Sequence, residues 1–169
     1  LSKEINCTFL ELPFVFGEVA GGVSLWKPLM KYLGSGWPIF TPKGGTSMVS
    51  VAVVAKLAVE EITLGKGHAV QPVSQANMEW KILFKRLSEE IGKPRKVFFL
   101  PRVVLSLALK TTQLIHSLMG KEGGLKFGRL TPLLTRELYL YDQLDSTILT
   151  HPDTDLTKAF QGTILSSSA

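Results

Sequence analysis

A chain of 169 residues, 45% hydrophobic and 20% charged, can bury a substantial core and is neither disordered nor collagen-like by composition. Its formal charge of +5 favours acidic ligands or an anionic surface, or serves solubility alone. The basic residues are dispersed, with only Lys93, Arg95 and Lys96 close together, which argues against a nucleic-acid partner.

In chain order, Ser2-Lys3-Glu4 reads as a helix end, and Ile5 to Phe16 is a long apolar run broken at Pro13. A run of this type is expected to be a strand buried in a parallel sheet. The single cysteine, Cys7, lies within it. It excludes a disulfide framework, favours a reducing, cytoplasmic setting, and is expected to be a small core residue rather than a catalytic thiol. Gly17 to Ser24 reads as loop, and Leu25 to Leu33 as a short helix ended by Gly34-Ser35-Gly36. Pro28 is tolerated there only in the first turn. Trp37 to Thr41 is a short extended piece, and Lys43-Gly44-Gly45 a turn.

Thr46 to Gly92 is the most regular stretch and reads strand, helix, strand, helix. Val51, Val54, Ala55, Ala58 and Ile62 recur at helical spacing and predict one buried stripe, with Lys56, Glu60 and Glu61 facing away. Gly65 is the expected stop. His68 to Val73 is extended, with Pro72 marking its end or an edge. Asn77 is the expected N-cap of the next helix, with Glu79 in its first turn. That helix is predicted to bury Met78, Ile82, Phe84, Leu87 and Ile91 and to close at Gly92.

Val97 to Leu100 is a third extended run, and Pro101 suits the first turn of a helix from about Arg102 to Met119. This is the most apolar segment, but Arg102, Lys110 and His116 interrupt it, so no membrane span is expected. Gly120 to Gly128 reads as loop. Thr131-Pro132 opens a helix expected to reach about Asp142, Asp145 to Thr154 is irregular, and Asp155 to Phe160 supports one or two turns before a fraying Ser166–Ala169.

Chemical signatures are sparse. His68, His116 and His151 show no ligand spacing, so no metal site is expected. Asp142 and Asp145 could pair as acid and base, but capping or solvation is the better reading. There is no GxSxG, Walker loop or GxGxxG. Trp26, Tyr32, Trp37 and Trp80, with Phe14 and Phe16, could line a pocket for a flat ligand, though core packing is favoured.

The order of features is more specific. Pro13-Phe14-Val15-Phe16-Gly17, at the end of a hydrophobic strand, resembles the proline to Val-Tyr-Gly-Pro turn of extended short-chain dehydrogenases/reductases, the NAD-dependent epimerase/dehydratase group. Trp37-Pro38-Ile39-Phe40 followed by Gly44-Gly45 resembles that family's substrate-side hairpin. Val49 to Ala55 is similar to its Val-His-Val-x-Asp-Val-Ala segment, with Ser50 and Val53 in place of the His and Asp. His68-Ala69-Val70, then Asn77 to Trp80 opening a helix that ends Ile91-Gly92, resembles the family's next extended strand and glycine-terminated helix. The last helices and Asp142 to Phe160 resemble the tail of atypical and steroid-dehydrogenase-like members. Glu11 stands about where the family's strand often carries Arg.

The family's glycine-rich dinucleotide loop and Tyr-x-x-x-Lys precede this strand and have no counterpart in the sequence. The resemblance therefore implies an α/β chain with few short strands and several helices. Residues 1–169 would form a single C-terminal, substrate-binding region of a Rossmann-type protein whose N-terminal dinucleotide-binding part is absent. It implies NAD or NADP as cofactor of the parent protein, with Pro13, Val15 and Phe16 near the cofactor and Gly17, Trp26 and Trp37 bordering a small-molecule substrate. Lys27, Lys31 or Lys43 would meet a phosphate or carboxylate. Alone, the chain would be catalytically inert and would self-associate or dock with the missing half. The alternative is a stand-alone protein- or membrane-surface interaction module using the apolar helix 102–119.

Overall fold

The computed structural model describes residues 7–18, 24–64, 69–118, 130–140 and 154–168. The elements of the first half are β1 (Thr8–Glu11), β2 (Phe14–Phe16), α1 (Lys27–Gly34), β3 (Ile39–Thr41), β4 (Gly45–Ser50), α2 (Val51–Leu64), β5 (Ala69–Pro72) and β6 (Ala76–Glu79). The second half adds α3 (Trp80–Glu90), β7 (Val97–Phe99), α4 (Arg102–Leu118), α5 (Leu130–Thr135), β8 (Glu137–Leu138) and α6 (Leu156–Ser168). This is a mixed α/β chain of two compact units. One comprises Leu1–Tyr32, Ser47–Asn77 and Tyr139–Ala169, the other Leu33–Thr46 and Met78–Leu138.

In the first unit, Pro13 divides the apolar run into β1 and β2. β1 pairs in parallel with β5, placing Phe9 opposite Val70 and Glu11 opposite Pro72. β2 pairs in parallel with β4, Phe14 opposite Met48 and Phe16 opposite Ser50, in a sheet ordered β2-β4-β6. The apolar core gathers Val49, Val53, Leu57 and Val73, with Leu10, Val15 and Val54 packed against it. β1 is covered on one face only, contrary to the expected buried strand. Side chains alternate across a strand, so Leu10 points to the core while Phe9 and Glu11 are exposed. Cys7 shares their parity and is exposed as a free thiol, which corrects its reading as a core residue.

α2 starts directly off β4, capped by Ser50, whose Oγ accepts the Val53 N–H at 3.3 Å. Its buried residues are Val53 and Leu57, not the predicted stripe: Val51 is exposed and Ile62 is 82% exposed. Glu61 is half-buried and accepts the Thr8 hydroxyl at 3.4 Å. The helix is apolar on nearly every side over its first nine residues, so periodicity cannot choose the face. The strand it leaves, whose every residue is buried, chooses it. α2 ends at Leu64, next to the predicted stop; Gly65 lies outside the described residues.

In the second unit, β3 and β7 pair in parallel, Phe40 opposite Phe98, and the Leu100 N–H donates to the Thr41 carbonyl at 2.8 Å. Asn77 lies in β6, not at a helix start. α3 begins at Trp80 with Glu79 as its cap and no side-chain cap bond. The orphan Trp80 N–H is taken instead by the Gly44 carbonyl at 3.1 Å, so a tertiary contact does the work that the sequence assigned to Asn77. α3 buries Trp80, Leu83, Leu87 and Ser88, while Ile82 is exposed. It closes as predicted: Gly92 has φ 76°, Lys93 N–H reaches the Ser88 carbonyl and Gly92 N–H that of Glu89, both at 2.9 Å. That is a Schellman closure, which favours glycine.

The helix expected from Thr131 to about Asp142 stops at Thr135. Thr131 lies inside it and accepts the Thr135 hydroxyl at 2.8 Å. The chain then turns into β8, which pairs in parallel with β4 at Gly45 and Thr46. The Arg136 carbonyl accepts the Gly45 N–H at 3.3 Å. Sheet pairing thus overrides a local helical pattern. α6 is longer than the predicted one or two turns, running to Ser168.

Candidate functional site

The turn singled out in the sequence is built by β2 and held by α6. Phe16 is fully buried, its ring stacked on Trp26 at 4.4 Å and edge-on to Phe160 at 4.8 Å. Trp26 Nε1 donates to the Val15 carbonyl at 3.0 Å. Just beyond, Gly17 has φ 148°, and a Cβ on it would lie 2.4 Å from Val51 Cγ1. Only glycine brings the chain this close to the first residue of α2. The Gly17 N–H donates to Thr163 Oγ1 at 2.8 Å, and the Thr163 hydroxyl donates to the Ala159 carbonyl at 2.9 Å. Gly162 lets α6 approach, since a Cβ there would lie 3.1 Å from the Glu18 nitrogen.

Of the sequence-predicted site residues, Pro13, Val15, Phe16, Gly17 and Trp26 are thus brought into one unit. Pro13, Val15, Gly17 and Trp26 are half-buried. The Phe16 side chain lies in the core, so its influence on a ligand runs through the backbone it fixes. Trp37 belongs to the other unit and is 71% exposed. Its carbonyl accepts from Arg95 Nη1, while Arg95 Nη2 donates to the Leu33 carbonyl and Lys93 Nζ to the Gly34 carbonyl at 2.7 Å. Thr163 and Gly162 were not singled out from the sequence. The signal was there: a glycine inside an otherwise helical pattern usually has a packing reason.

The second unit contains a cleft of about 370 Å³, lined by Thr41, Lys43, Glu79, Lys81, Phe99 and Glu137 among others. Lys43 Nζ sits 5.3 Å from the Phe99 ring centre. Gly44, at φ 123°, is part of its lining; a Cβ there would lie 2.6 Å from the Arg136 carbonyl oxygen. The cleft has the size of a small-ligand site and offers an aromatic face with charges of both signs. Lys43 was one of three lysines suggested for an anion; Lys27 and Lys31 are exposed on α1. Among the described residues no three His, Cys, Asp or Glu side chains gather. His68, His151, Asp142 and Asp145 lie outside the described residues.

Two replacements noted in the sequence have structural roles. Ser50 caps α2, and Val53 is buried among Val49, Leu57 and Val73.

No family model and no curated protein matches the chain. Solved structures do. The crystal structure of gox2253 matches 94% of this chain and 48% of its own, with a TM-score of 0.63 at 17% identity. The Bordetella bronchiseptica enzyme WbmH, in complex with NAD+, matches 96% of this chain and 45% of its own, with a TM-score of 0.55 at 16% identity. The fold is like that of an NAD-binding enzyme. At these identities the likeness is one of fold, and the chain spans about half the length of each structure.

Proposed function

We propose that the chain is the substrate-binding half of an NAD(P)-dependent oxidoreductase or epimerase of the extended short-chain dehydrogenase/reductase type. The observation that carries the reading is the fold likeness to NAD+-bound WbmH over 96% of the chain, joined to the strand, turn and helix order read from Pro13 to Gly92. In this reading the end of β2, with Pro13, Val15 and the backbone that Phe16 fixes, lies near the nicotinamide. Gly17 and Trp26 border the substrate. When bound, NAD(P) would supply hydride transfer. The residues present do not fit the whole cofactor: the sequence holds no GxGxxG to cradle the diphosphate and no Tyr-x-x-x-Lys to move a proton. No reaction step is therefore assigned to this chain, which alone would be inert.

The rival reading is an interaction module built on α4. Val103, Val104 and Leu107 are exposed there, although among the described residues no helix is long and apolar enough to cross a membrane. The fold likeness over almost the whole chain favours the enzyme half. Titrating the natural gene product with NAD+ and NADP+, followed by tryptophan fluorescence, tests it. Saturable binding of either is expected; no binding of both overturns the reading.

A further inference from the structure

We propose that the cleft at the Thr41 to Gly45 turn is a binding site for a small zwitterion with an apolar body, the chemistry of an aromatic or branched α-amino acid. Every lining residue belongs to the second unit, and Pro13, Val15, Phe16, Gly17 and Trp26 belong to the first, so the proposal stands apart from the enzyme-half reading. Three backbone attachments assemble the cleft. Thr41 stands opposite Phe99 in the β3–β7 register. The Gly44 carbonyl accepts the Trp80 N–H at 3.1 Å. Gly45 stands opposite Glu137 in the β4–β8 register. Segments far apart in the chain thereby meet at one turn, where the positive φ of Gly44 and its closeness to the Arg136 carbonyl call for glycine.

The same attachments gather two cations, Lys43 and Lys81, and two carboxylates, Glu79 and Glu137, around the cleft. Among the described residues none of the four is in an ion pair, whereas Lys85 and Glu89, further along α3, pair at 3.8 Å. One turn on from Lys81 stands another cation, Lys85, which repels it rather than neutralising it. Lys43 holds no carboxylate either, and its ammonium lies 5.3 Å from the Phe99 ring centre. The lining charges cancel, and that decides the ligand. A simple anion would meet two carboxylates and a simple cation two ammonium groups, and like charges brought together count against both. A ligand with one charge of each sign finds a partner for each. Phe99, 53% exposed, together with Pro42 and Val97 offers apolar wall for its body. At about 370 Å³ the cleft falls at the small end of ligand sites, which suits an amino acid.

A heteronuclear NMR titration of the chain with L-phenylalanine, hydrocinnamate and phenethylamine tests the proposal. Hydrocinnamate lacks the ammonium of L-phenylalanine, and phenethylamine its carboxylate. L-Phenylalanine is expected to bind about fivefold tighter than either, the effect of one exposed charge pair at its stronger end. The amide shifts should centre on Lys43, Gly44, Lys81, Phe99 and Glu137. The Lys43→Gln/Lys81→Gln double variant should lose the advantage over phenethylamine, and Glu79→Gln/Glu137→Gln the advantage over hydrocinnamate. All four side chains are exposed, so these substitutions leave the fold intact. Either analogue binding as tightly as L-phenylalanine overturns the proposal and makes the cleft a site for a simple ion. Shifts centred elsewhere in the chain, or no saturation by about 10 mM, overturn it as well.

Discussion

The Ser47 hydroxyl donates to Asn77 Oδ1 at 2.5 Å. Asn77 Nδ2 donates to the Leu140 carbonyl at 3.2 Å, and the Leu140 N–H donates back to Ser47 Oγ at 2.6 Å. The carboxamide thus closes a ring between β4 and the segment after β8. A caps-only role for residue 77 would tolerate aspartate, which caps as well as asparagine does. The ring does not, because aspartate has no donor for Leu140. Asn77→Ala and Asn77→Asp are both expected to cost about 1–2 kcal/mol, read from urea midpoints at constant slope. An aspartate variant as stable as the parent chain would restore the cap reading.

Gly17 is fixed by proximity to Val51. Gly17→Ala is expected to cost about 1–3 kcal/mol, from backbone strain together with the clash. Trimming the obstacle should recover part of that loss. A double-mutant cycle with Val51→Ala checks it, and a coupling below about 0.5 kcal/mol would contradict the contact.

Phe16 was read from the sequence as a cofactor neighbour, yet it packs between Trp26 and Phe160. Phe16→Ala should therefore lower stability by about 3–5 kcal/mol, whatever ligand is present. Calorimetric melting of the ligand-free chain decides this: an unchanged melting temperature would return the side chain to a purely ligand-facing role.

Arg95 carries three carbonyls at once, those of Leu33 and Trp37 through its two terminal nitrogens and that of Lys93 through Nε at 3.4 Å. A lysine cannot reproduce that planar fork. Arg95→Lys is expected to cost about 1 kcal/mol, and Arg95→Ala about the same or slightly more. Chemical denaturation of the three proteins measures both. A lysine variant indistinguishable from the parent would show that the fork contributes nothing.

Local chemistry carried much of the fold. Pro13 separating two strands, α1 ending at Gly34, β5 ending at Pro72, and Gly92 closing α3 with a positive φ all depend on what proline and glycine permit within a few residues. What the sequence could not supply was the direction in which an element faces, or a partner distant in the chain. α2 is apolar nearly all round, so only β4 beneath it selects Val53 and Leu57. Asn77 has the look of a cap, yet Ser47 and Leu140 claim it, and the Trp80 N–H goes to Gly44. The helix predicted through Asp142 yields to β8 because Gly45 and Thr46 offer a sheet edge. The Pro13 to Gly17 turn was visible from the start, but Thr163, which holds it from 146 residues away, was not. Residue type sets local dihedral preferences; pairing between segments far apart in sequence is decided only when the chain folds.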